Sequence, residues 1–165
     1  MQLLDSIYEY IDPHGNEFFN RTEYLELYES VFTSLLCRKS LQVTELKKFQ
    51  AMDGWARQQV ANKQQKQLLQ RKQSSENQEK QQHQHQLQGP DSIQAAAEQM
   101  VEPKVMSKEE AEQEYRNLMN RLNKEINLKL DKISSEDLVK VVLPTKVFSN
   151  DKIFEVMADE SRNDY

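Results

Sequence analysis

An all-α fold is what this sequence predicts, on three observations. Glycine and proline are scarce, three and four in 165 residues, too few for the turns of a loop-rich β protein. In both flanks of the chain apolar residues recur at intervals of three and four, the spacing of one helical face. Thr44, Ser107, Ser134 and Ser149 stand just ahead of such stripes, where a side-chain oxygen can take up a backbone N–H left free in a first turn.

Taken in order, residues 2–11 set Leu3, Leu4, Ile7, Tyr8 and Ile11 on one face of a first helix. Asp12-Pro13-His14-Gly15 is expected to break it, since proline and glycine both resist continuation. A short element carries Phe18 and Phe19. Tyr24, Leu25 and Leu27 then lead into a helix whose buried side is Val31, Phe32, Leu35 and Leu36. In the connector Ser40–Val43, Leu41 and Val43 are two residues apart, so both can point inward while Gln42 faces out. Thr44 suits an N-cap, and Glu45 lies near the positive end of the helix dipole that follows. From there Leu46, Phe49, Met52 and Ala56 recur at helical spacing with Trp55 on the flank. Gly54 costs that helix about 1 kcal/mol relative to alanine. An amphipathic helix packing a core accounts for this periodicity. The expected core comprises Leu35, Leu36, Leu41, Val43, Phe49, Trp55, Leu138, Val142 and Ile153.

The middle of the chain is different. Residues 58–88 hold thirteen glutamines in thirty-one positions, a polar chain unable to bury enough apolar surface to offset its conformational entropy. The helix begun at Glu45 runs on for several turns into it, since glutamine, lysine and alanine are good helix formers; disordered chain is the other expectation. Leu68 and Leu69 are adjacent and isolated, which argues against a coiled coil. Gly89-Pro90 and Glu102-Pro103 mark breaks, with room for a brief helix from Ile93 to Met100. Order resumes at Ser107-Lys-Glu-Glu110, a capping box. Behind it Ala111, Tyr115, Leu118, Met119 and Leu122 form a stripe. Ile133-Ser134…Leu138 and Phe148-Ser149…Ile153 repeat one design, a serine cap with apolar residues on either side that meet as a staple. Pro144 is expected to end the first of these two helices. The organisation is therefore 1–62, a helical half; 63–104, a glutamine-rich insertion; 105–160, a second helical half; and 161–165, a tail.

Net charge is −5, which argues against general nucleic-acid binding. The basic side chains also lack the interleaved aromatics of a single-strand groove. Arg57, Lys63, Lys66, Arg71, Lys72 and Lys80 make residues 57–88 basic, whereas Asp91 to Glu114 is acidic, so the two segments attract weakly. Cys37 stands alone, which fits a reducing compartment, and its place beside Leu36 predicts a buried, inert thiol. No apolar run is long enough to span a membrane, and the first residues lack the pattern of a signal peptide; a cytoplasmic or nuclear location is expected. Glu109, Glu110, Glu112 and Glu114 read as a solvated face. His83 and His85 lack the cysteines or carboxylates that would complete a metal site. No nucleophile is paired with a base and no glycine-rich phosphate loop is present, so neither catalysis nor a cofactor is expected.

Tyr24-Leu25-Glu26-Leu27, Leu35-Leu36, Leu41-x-Val43, Glu45, Phe49-x-Ala51 and Trp55 together resemble, in order and spacing, the BACK domain. That helical module follows the BTB domain in adaptors of cullin-3 ubiquitin ligases. Ile133 to Pro144, followed by Val147-x-Ser149 to Met157, is similar to the closing helices of the same domain. Glu160-Ser161-Arg162 resembles the subgroup in which discoidin-type β-sandwiches follow. Lys48 departs from the pattern, standing where the family has a valine able to staple onto Val43. The resemblance implies an antiparallel helical module, interrupted here by the glutamine-rich insertion and acting without catalysis. Its role is to space a BTB domain from a substrate-binding region. It also implies that Leu3, Leu4, Ile7, Tyr8 and Ile11 support a cullin-3 contact. With no BTB domain in the match, the chain is expected to be a fragment, a truncated isoform or a partial gene product that binds cullin-3 only when a BTB domain is joined to it. Partners are then proteins, not nucleic acid or membrane. A glutamine-rich nuclear interaction or transcription-related module is the other reading of the same chain.

Overall fold

The computed structural model describes the backbone of residues 2–85 and 105–160, with side chains over 5–73 and 105–159. Expectations for residues 86–104, for the tail 161–165 and for the side chains of Leu3, Leu4, His83 and His85 fall outside these. Every regular element among the described residues is helical.

Helix α1 (Gln2–Ile11) ends just before Asp12, as expected, and the chain does not open into a loop there. It tightens into a 3₁₀ turn over Asp12–His14, with proline in the first turn, where its missing N–H is not needed. The short helix α2 (Gly15–Phe18) follows at once. A β-carbon on Gly15 would lie 2.8 Å from the Gln42 carbonyl oxygen and 2.9 Å from Leu41, so only glycine lets the connector approach this closely. A 3₁₀ turn at Glu23–Glu26 leads to α3 (Glu29–Leu36).

Thr44 caps the next helix as expected, its hydroxyl accepting from Lys47 N–H at 3.2 Å. That helix, α4, runs without interruption from Glu45 to His85, so the boundary expected at residue 62/63 leaves no mark on the backbone. Its first half is the centre of the fold. Phe49, Met52, Trp55 and Ala56 are all buried, and the Trp55 and Phe32 rings stack at 5.1 Å between centroids. Gly54 is not simply a weak point. A β-carbon there would stand 2.8 Å from the Tyr24 hydroxyl, so the missing side chain is what admits that ring.

Ser107 and Glu110 form the complete capping box at the start of α5 (Lys108–Ile126). Tyr115, Leu118, Met119 and Leu122 are buried along it, with Ala111 at its margin. Contacts climb α4 as they descend α5. Glu45 accepts from Lys129 N–H, Asp53 from Tyr115, and Gln67 from Met106 N–H. The two helices thus run in opposite directions.

After the 3₁₀ turn Leu130–Lys132, Ser134 caps α6 (Ser135–Asp137) by accepting from Asp137 N–H at 3.2 Å. Pro144 does not end this helix. The run widens into a π-helical stretch at Leu138–Val142, with Leu143 N–H donating to the Leu138 carbonyl, then tightens to 3₁₀ over Leu143–Thr145. Pro144 has no N–H to give, so the regular ladder must change before it. The run closes at Lys146, whose φ is 56°. Helix α7 (Asn150–Glu160) carries Ile153 into the core. One apolar cluster includes residues of both halves of the sequence, and Phe49 meets Phe148 at 6.3 Å between ring centroids.

Candidate interaction surface

Of the expected core residues, Leu35, Leu36, Leu41, Phe49, Trp55, Leu138, Val142 and Ile153 are buried. Val43 is half-buried at the edge of that cluster. Cys37 is a correction: it is exposed. Helix α3 ends at Leu36, so Cys37 is its cap residue and faces the rim, its Sγ 3.6 Å from the Glu125 carbonyl oxygen. Lys48, where the resemblance expects a valine, keeps its ammonium 2.8 Å from Glu45 Oε1, an ion pair within one turn in place of an apolar staple.

The α1 face is divided. Ile11 is buried and belongs to the core, Tyr8 is half-buried, and Ile7 is exposed. Tyr10 is exposed as well, its ring 5.4 Å from that of His14 and tilted by 40°. What holds α1 to the bundle is a polar node at its end. Asp12, buried, accepts both Arg38 Nε at 2.9 Å and Nη2 at 2.7 Å, and the Ser40 hydroxyl at 2.5 Å. Its backbone carbonyl also accepts from Gln42 N–H at 2.7 Å. The guanidinium lies 4.5 Å from the centre of the Tyr8 ring. The hydrogen bond from Arg38, helped by that from Ser40 and by the guanidinium charge, outweighs burial and holds the Asp12 carboxyl below the usual carboxylate range.

A second node joins α4 to α5. Asp53 accepts from the Tyr115 hydroxyl at 2.5 Å and from Arg57 Nε at 2.9 Å, and the Arg57 guanidinium covers the Tyr115 ring at 4.7 Å. Burial first, then the bond to Asp53 and its charge, push the Tyr115 phenol well above its ordinary value. On the other face of α5, Arg121 grips Glu29 through Nε at 2.5 Å and Nη2 at 2.7 Å, tying in α3. The attraction expected between the basic and acidic segments appears in Lys63–Glu114, at 2.8 Å.

Between these ties lies a groove of about 490 Å³, walled by residues 26–29, the middle of α4 and the first half of α5. Its floor is fixed by two side chains of α4. The Trp55 indole N–H donates to the Leu27 carbonyl at 2.9 Å, and the Gln59 amide donates to that of Leu25 at 3.0 Å. Tyr28, 83% exposed, projects at its lip. The wall combines Gln58, Asn62, Glu26 and Leu118. None of Glu26, Tyr28, Gln58 or Asn62 stands out in the sequence, because the groove is assembled from three segments with no shared period.

Among the described residues no group of three His, Cys, Asp or Glu side chains is placed to hold a metal ion. No helix there is long and apolar enough to cross a membrane. Comparison of the chain with protein-family profiles, with curated proteins and with solved structures finds no match.

Proposed function

We propose that the chain is a non-enzymatic adaptor segment of the BTB-BACK kind, a helical bundle that spaces a BTB domain from a substrate-binding region in a cullin-3 ubiquitin ligase. One observation carries this reading: sequence from before and after the glutamine-rich stretch closes a single core around α4 and α5. A spacer must be stiff, and the nodes at Asp12 and Asp53 with the Arg121–Glu29 pair pin α1, α3, α4 and α5 to one another. The sequence resemblance at Leu35-Leu36, Leu41-x-Val43 and Trp55 supports the same conclusion, since those residues pack the core. A cullin-facing role for α1 falls to Ile7 and the exposed part of Tyr8, with Ile11 acting from within.

The test is recovery of cullin-3 by the chain alone and by the chain joined behind a BTB domain. The joined form is expected to recover it strongly, and Ile7→Glu to weaken that recovery without loss of helicity. A stable interface usually buries about 1,200–2,000 Å² in total, more than one helical face supplies. Equal recovery by both forms, or by neither, overturns the proposal. The second reading, association through the glutamine-rich stretch, draws on Leu68 and Leu69, both exposed on α4. Deleting residues 74–104 and replacing Leu68 and Leu69 with glutamine, while keeping Lys63 and Gln67, separates the two. An adaptor retains cullin-3, whereas a glutamine-dependent assembly falls apart.

A further inference from the structure

We draw no further inference here: the strongest candidate, the exposed apolar pair Leu68 and Leu69 on α4 just beyond the point where Met106 docks on Gln67, carries nothing, because nothing among the described residues shows what covers it.

Discussion

Replacing Gly54 with alanine sets two physical effects against each other, and the structure decides the sign. In a helix interior the change gains about 1 kcal/mol from backbone entropy. The new methyl, however, would stand 2.8 Å from the Tyr24 hydroxyl and 3.5 Å from Leu25 Cδ2. The hydroxyl is the tip of a side chain, but not a free one. Tyr24 is buried, with Phe19 edge-on at 5.3 Å and Phe32 stacked at 6.1 Å. Overpacking a site of this kind costs about 1–3 kcal/mol. Gly54→Ala should therefore be destabilising by about 0–2 kcal/mol, a fall in melting temperature of up to ~8 °C for a chain of this size. Removing the obstacle should restore the helical gain. In a Tyr24→Phe background the same alanine is expected to stabilise by up to about 1 kcal/mol, giving a coupling of about 1–3 kcal/mol. Urea unfolding followed by Trp55 emission and by far-ultraviolet circular dichroism measures all four corners of the cycle. A stabilised single variant with no coupling to Tyr24 would refute the packing argument.

Three further outcomes are expected. Asp12 has a depressed folded-state pKa, so its stabilising effect is present above the unfolded carboxylate value of about 4 and is lost as pH falls through the lower folded value. The stability gap between wild type and Asp12→Asn should accordingly hold steady above pH ~5 and narrow through the 3s; a gap independent of pH would contradict the pairing with Arg38. Thr33 Oγ1 is buried with no hydrogen-bond partner among the described residues, so Thr33→Val should leave the urea midpoint unchanged or raise it, and a loss above ~1 kcal/mol would reveal a bond to that hydroxyl. Ile153→Ala, at a fully buried site in α7, should cost about 2–5 kcal/mol and lower the midpoint seen by Trp55 as much as that seen by circular dichroism. Unfolding of the second half with Trp55 unaffected would mean that the two halves fold apart.

The helical class and the starts of α4, α5 and α6 were legible because caps and stripes are local. Thr44, Ser107 and Ser134 each act within three residues of their own position, and the sequence displays both partners. What was not legible depends on distant neighbours. Gly54 reads as a weak point until Tyr24, thirty residues earlier, is brought against it. Cys37 reads as buried beside Leu36 until the helix is found to end between them. Pro144 reads as a stop, since the rule for a regular helix says nothing of a run that can widen ahead of it. The groove was hidden for the same reason. Its wall comes from residues 26–29, α4 and α5, which only the fold brings together.

Helix α4 gives the glutamine-rich stretch a geometric meaning that composition does not. From Gln67, where Met106 docks, the helix continues to His85 as a shaft. At about 1.5 Å and 100° per residue, adding or losing one residue there both displaces whatever is attached beyond and turns it to another side of the bundle. A change of seven residues returns nearly the same heading at about 10 Å greater or smaller reach. Changes in the length of this stretch thus act on direction before they act on distance, and one or two glutamines would re-aim the far end more than seven would.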